Sequence, residues 1–220
     1  MSEPYTRLAL LTPYGVGAAQ VDLLADALAA ACAVGDVAAV LLRLAPADER
    51  GLINLVKRVA TAVQERGAAL VIACPGFAGD LASIAARGGA DGVHVDRAGP
   101  AMLGELRARL CDGRILGAGG VLESRHAAME VGEAGLDYLM FGGLYPDGVA
   151  PDPDRVRERA QWWAEIFETP CIAVATEPEH IAGLAATGAE FIGLESALWL
   201  DAPEGINKAQ ALLRAAGEAW

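Results

Sequence analysis

The sequence predicts an α/β fold of the (β/α)8 TIM-barrel class, with one domain over residues 1–220. Three observations carry this. Short apolar runs alternate with longer stretches of helical periodicity, eight times from end to end. The runs are near-continuously apolar, as parallel strands covered on both faces are. No Gly-x-Gly-x-x-Gly follows the first run, where an open, doubly wound dinucleotide-binding sheet would carry it; that loop is Thr12-Pro13-Tyr14-Gly15-Val16-Gly17. The open sheet is the second choice of topology. A chain of 220 residues, 54% hydrophobic, is long enough to bury the core of one such barrel.

The elements follow in order. Leu8 to Leu11 forms the first strand, closed by Thr12-Pro13, and a helix runs from about Gln20 to Ala33. Val37 to Leu44 is the second strand. Leu52 to Glu65 places Leu52, Leu55, Val56, Val59 and Val63 on one helical face, with Gly67 at its stop. Ala69 to Ala73 is the third strand and Leu81 to Ala86 a helix. Gly92 to Val95 is the fourth strand, and Pro100 opens a helix reaching about Leu110. Ile115-Leu116-Gly117 is the fifth strand, followed by a helix from Glu123 to Ala134. Tyr138 to Phe141 is the sixth strand. A longer loop, 142–153, leads to a helix from Asp154 to Phe167. Pro170 to Val174 is the seventh strand, with Glu177 to Ala186 helical behind it. Phe191 to Leu194 is the eighth strand, and 203–219 the last helix.

Three segments echo one another: Gly89-Ala90-Asp91-Gly92-Val93, Gly135-Leu136-Asp137-Tyr138-Leu139 and Gly188-Ala189-Glu190-Phe191-Ile192. Each joins a helix-ending glycine to an acid and a strand. Glycine takes the left-handed cap, and the acid falls at the barrel's bottom face. Asp91, Asp137 and Glu190 therefore read as stability features, because chemistry in such barrels sits at the other end of the strands.

The net charge is −12, which repels a phosphate backbone and argues against a nucleic-acid partner. Any anion site must be built locally. No run approaches the roughly 18 apolar residues of a membrane span. Met1 to Arg7 lacks the pattern of a signal peptide, so a cytoplasmic location is expected. Cys32, Cys74, Cys111 and Cys171 lie far apart, without metal-ligand spacing, and read mainly as buried inert thiols. Trp162, Trp163, Phe167, Trp199 and Trp220 either pack helices on the barrel or, if exposed, form a self-association face; a homo-oligomer stays open.

Functional residues belong where strands run into the following loops. Those places hold Thr12 and Tyr14; Arg43; Cys74; His94, Asp96 and Arg97; Gly117 to Gly120; Gly142, Gly143, Tyr145 and Asp147; Thr176 and Glu177; and Glu195 and Ser196. Arg43 is either an inward cation suited to a phosphate or carboxylate, or an outward side chain between helices. Strand parity points His94 and Asp96 the same way and Arg97 the other. That pair is either an acid–base couple or packing of the top layer. Leu116 to Gly120 is either an anion cradle or a tight turn. Ser196 reads as opening a short extra helix that holds phosphate, a role for which Glu195 is unsuited without a cation. Catalysis is thus assigned to His94 and Asp96, and substrate or phosphate binding to Arg43, Arg97, Gly119, Gly142, Gly143 and Ser196. No metal ligands are assigned.

Several segments resemble the thiamine-phosphate synthase family, which includes related thiazole tautomerases. They are Gly89 to Val95, Ile115-Leu116-Gly117, Gly135-Leu136-Asp137 running through Phe141-Gly142-Gly143-Leu144-Tyr145-Pro146, Gly188-Ala189-Glu190, and Ser196-Ala197-Leu198. The resemblance implies a TIM barrel that handles a pyrimidine diphosphate and a thiazole phosphate. It implies carboxylates that hold Mg2+ and cations that help pyrophosphate depart.

The chain departs from that pattern at several places. Of the family's Gln-x-Arg-x-Lys, this sequence has Leu41, Arg43 and Ala45. Ala73-Cys74-Pro75 stands for Asn-Asp, and Asp96-Arg97-Ala98-Gly99 for Gly-Gln and its acids. Gly119 takes the place of a serine, Asp147-Gly148-Val149-Ala150 lacks the Thr and Lys, and Thr176-Glu177 replaces Gly-Gly. The expectation is a divergent relative with synthase activity lost or altered. It would need Mg2+ only if that activity is retained, and a small phosphorylated heterocycle is the expected ligand. A tautomerase would need no metal, only a phosphate site and an acid–base group such as His94. The alternatives are a non-catalytic binding barrel and an enzyme acting on an unphosphorylated substrate.

Overall fold

The computed structural model describes residues 6–110, 113–200 and 204–217. Eight strands, β1 (Arg7–Leu11), β2 (Val37–Arg43), β3 (Ala69–Ala73), β4 (Gly92–Asp96), β5 (Ile115–Gly119), β6 (Tyr138–Phe141), β7 (Cys171–Ala175) and β8 (Phe191–Leu194), pair in parallel and in sequence order. β8 returns to β1 through Arg7 opposite Phe191, which closes the barrel. Between them run α1 (Val21–Val34), α2 (Glu49–Gln64), α3 (Leu81–Gly88), α4 (Pro100–Arg109), α5 (Arg125–Gly132), α6 (Pro153–Ile166), α7 (His180–Ala185) and α8 (Glu204–Gly217). No helix among the described residues is long and apolar enough to cross a membrane.

Strand parity divides the core in two. Leu8, Leu10, Val40, Leu42, Leu70 and Ile72 pack outward under the helices. Ala9, Leu11, Leu41, Val71, Tyr138, Met140, Ile172 and Val174 fill the barrel itself. Both faces of the strands are therefore covered along most of their length, which is why the sequence shows unbroken apolar runs rather than alternation. Trp163 and Trp199 are fully buried, and Trp162 and Phe167 pack against the same core. These aromatics hold helices to the barrel rather than forming an exposed face; Trp220 lies outside the described residues.

Two boundaries differ from expectation for identifiable reasons. β5 runs two residues further, through Gly119, so most of the Gly-rich stretch is strand rather than loop. A Cβ at Gly117 would lie 2.0 Å from the Tyr138 ring, and one at Gly119 would lie 2.5 Å from Asp96 Oδ1. The glycines are the room into which neighbouring strands send large inward side chains. α7 starts at His180 because Glu177 and Pro178 form a turn, their carbonyls accepting from His180 N and Ile181 N.

The repeated acids do what their position implies. Asp91 accepts from Leu70 N at 2.6 Å, Asp137 from Leu116 N at 2.7 Å, and Glu190 from Cys171 N at 2.9 Å. Each acid precedes an even-numbered strand and satisfies an N–H at the start of the odd-numbered strand before it. At these bottom-face positions the ladder offers no partner, and an unpaired amide costs stability. Asp91→Ala should therefore lower stability by about 1–2 kcal/mol. In a thermal melt that is a fall on the order of 2–8 °C; an unchanged Tm would show that the Leu70 amide does not need the carboxylate.

Candidate functional site

The carboxyl ends of the strands open into a cavity of about 710 Å³. Its wall includes Tyr14, Arg43, His94, Asp96, Arg97, Gly142 and Gly143. It extends outward past Cys74 and Phe77 to Met102 and Leu106 of α4. Of the expected site residues, Arg43, His94, Asp96, Arg97, Gly142 and Gly143 are brought together here.

Two are placed otherwise. Ser196 opens a three-residue 3-10 helix, Ser196–Leu198, and does not line the cavity. Gly119 is buried behind the His94–Asp96 pair, so its backbone makes room for those side chains instead of cradling a ligand. Glu177 is exposed beside His180 and is no part of the wall.

At the floor, Arg43 points inward and is 3% exposed. Its Nη1 and Nη2 donate to the two oxygens of Glu195 at 3.0 and 2.6 Å, and its Nε donates to Thr12 O at 2.5 Å. The Tyr14 ring lies 4.1 Å from the guanidinium carbon. Glu195 Oε1 accepts a further bond from Leu144 N at 2.8 Å. That amide is aimed by two consecutive left-handed residues, Gly142 (φ 92) and Gly143 (φ 86), a conformation glycine takes without strain. The carboxylate judged unsuited to the site is thus the partner of its principal cation.

His94, 1% exposed, lies one layer away between two partners. Its Nε2 is 3.1 Å from Asp96 Oδ1 and its Nδ1 2.9 Å from the Tyr138 hydroxyl. Burial pushes the Asp96 carboxyl up, but the His94 hydrogen bond, with charge from His94, Arg43 and Arg97, outweighs it and leaves the group below its ordinary value. Asp96 is therefore an acceptor at neutral pH, and a proton on His94 Nε2 is what makes their contact a hydrogen bond. Nδ1 meets the Tyr138 hydroxyl, which burial pushes far up in pKa and keeps protonated. The Asp96 side chain is 36% exposed, so it meets the cavity, and His94 and Tyr138 stand behind it in line. Tyr138 was not picked out from the sequence. Its sign was the register pair Gly117–Tyr138, a glycine facing the polar aromatic that opens an apolar strand.

Arg97 breaks parity. It has φ 55, and its N donates to Gly119 O. The left-handed turn brings a residue that would point away back to the cavity rim. Its guanidinium makes no hydrogen bond or ion pair among the described residues, whereas Arg43 is held by Glu195 and Arg109 by Asp80. Burial pushes the Cys74 thiol up, and pushes Cys171 up to about 12, with nearby Glu190 adding to the rise. Neither is a ready nucleophile. Cys111 lies outside the described residues.

The cavity does not fit a resident divalent cation. Among the described residues no three His, Cys, Asp or Glu side chains gather to hold one. On the wall, Asp80 is engaged by Arg109 and Glu123 by Arg155, and Glu105 belongs to no cluster of ligand groups. Asp96 has given one oxygen to His94, and hard cations of this kind need several oxygens.

Fold and site define a (β/α)8 barrel with a cavity at the strands' carboxyl ends, apolar over much of its wall and carrying a few charged groups. The family model for thiamine monophosphate synthase matches residues 13–198, and the chain belongs to that family. It is 35% identical over 200 residues to the thiamine-phosphate synthase of Rhodospirillum centenum, covering 88% of this chain and 89% of the relative. It is 33% identical over 207 residues to that of Hyphomonas neptunium, covering 89% and 87%. Among solved structures, a thiamine phosphate pyrophosphorylase from Pyrococcus furiosus superposes with a TM-score of 0.72 over 96% of each chain, at 19% identity, a likeness of fold.

Two outcomes follow. Arg43→Met leaves the Glu195 carboxylate buried and alone and should cost about 3–5 kcal/mol in chemical denaturation, while Arg43→Met with Glu195→Met recovers most of it. Equal loss in both would show that the pair is not the source. Asp96, lowered on folding, contributes stability above its ordinary value of 3.8 and loses it as pH falls through the lowered folded value. Asp96→Asn should therefore flatten the acid limb of Tm against pH, and an unaltered acid limb would contradict the assignment.

Proposed function

We propose that this chain serves thiamine biosynthesis as a divergent member of its family. It binds a small phosphorylated heterocycle in the barrel mouth, with synthase activity lost or altered. The supporting observation is the state of the cavity's charges. Synthase chemistry by the family's route needs carboxylates free for Mg2+ and cations free for a departing pyrophosphate. Here Glu195 neutralises Arg43, and Asp96 is bonded to His94. The free cation is Arg97 at the rim, suited to the phosphate of a ligand whose ring reaches inward to Asp96.

A second reading is favoured by the Asp96–His94–Tyr138 line, which links a cavity-facing carboxylate to a buried hydroxyl through an imidazole. Such a line can accept a proton from a ring carbon or nitrogen and return it elsewhere, the work of a tautomerase that needs no metal. Asp96 would touch the substrate, and His94 would orient it.

The test supplies purified protein with pyrimidine diphosphate and thiazole phosphate, with and without Mg2+, and follows thiamine phosphate. The expected result is no metal-dependent product above a heat-killed control, while thiazole phosphate alone raises the Tm and Arg97→Ala removes that rise. Mg2+-dependent turnover would overturn the loss of synthase activity. Absence of any Tm shift with the thiazole phosphate would overturn the ligand.

A further inference from the structure

The surroundings of Glu195 have the composition of an anion site with the anion already in place. Three donors converge on its carboxylate: Nη1 and Nη2 of Arg43 in a fork, and the Leu144 amide. A forked guanidinium joined by a backbone N–H is how proteins hold a free carboxylate or a phosphate. The guanidinium is fixed from behind by Thr12 O and covered on one face by Tyr14, so it is aimed before any ligand arrives. Gly143 lies against Glu195, where a Cβ would sit 3.5 Å from Oε1. Arg43, Gly143 and Leu144 line the cavity, whereas Glu195, 1% exposed, lies behind them.

We infer that Glu195 is a specificity-determining residue, an internal anion that occupies the floor seat and excludes phosphate from it. A second anion beside that carboxylate would meet like charge at ion-pair range in a site closed to water, and the two N–H groups of the Arg43 fork are already engaged by Glu195. A phosphorylated ligand is consequently held only at the rim, by its single anionic end. A ligand with anionic groups at both ends, one needing the floor as well as Arg97, is refused. The inference concerns the seat itself and stands apart from the biosynthetic role proposed above.

Glu195→Ala removes the internal anion and joins the seat to the cavity, leaving Arg43 with an unfilled fork. Melts in rising acetate or inorganic phosphate, at ionic strength balanced with chloride, read whether an external anion takes its place. The expected result is a concentration-dependent rise in Tm for Glu195→Ala that wild type lacks. The Arg43→Met, Glu195→Met variant, which has no seat, should lack it as well. Phosphate should bind Glu195→Ala on the order of tenfold or more tighter than wild type, by calorimetry. Equal shifts in all three proteins would place the anion elsewhere and overturn the inference, as would wild-type phosphate binding that Arg43→Met abolishes. If Glu195→Ala does not fold, Glu195→Gln keeps the shape without the charge, and phosphate binding no tighter than wild type there would be equally contrary.

Discussion

The Arg43–Glu195 pair ties the mouth of this barrel together. Arg43 ends β2, Glu195 follows β8, and Leu144 belongs to the loop after β6. β1 joins through Thr12, whose hydroxyl accepts from Arg43 N and whose carbonyl accepts from its side chain. Four strands or their loops thus converge on one buried pair, without counting on water to satisfy either charge. Buried pairs of this kind gain little net stability over apolar packing, but either half alone is costly. Their consequence is arrangement: with both charges present, the β6 loop has one place to put its Leu144 amide.

The remaining chemistry of the cavity is what that pair leaves over. With Arg43 held by Glu195, the functional groups deepest in the cavity are Asp96, backed by His94 and Tyr138, and Arg97 at the rim, while Asp80, Glu105, Arg109 and Glu123 stand farther out on the wall. The Asp96 carboxyl is held low, in part by the nearby Arg97 charge, so an acceptor inside and a cation at the rim face the same space.

Much of this was legible in the sequence because it is local. β3, β6 and β8 begin and end where their apolar runs do, since doubly covered strands have sharp compositional edges. The glycine–acid–strand repeat marked Asp91, Asp137 and Glu190 as bottom-face stability features, though not the amides they satisfy. The parity of His94 and Asp96 placed them side by side. What was not legible is non-local. Glu195 is 152 positions from Arg43, and closure of β8 onto the barrel is what makes them neighbours. The glycines of β5 looked like a turn because their purpose lies in the side chains of β4 and β6. Arg97 was assigned to ligand binding although parity points it opposite to His94 and Asp96, and its left-handed backbone, which strand parity does not foresee, is what brings it to the rim.

The most direct measurement is a crystal structure of the protein grown with inorganic pyrophosphate and Mg2+. The account predicts an intact Arg43–Glu195 fork, any bound anion at the rim beside Arg97, and no metal on Asp96. A Glu195 side chain swung clear, with pyrophosphate on Arg43 and a metal ion between it and Asp96, would contradict the account at its centre.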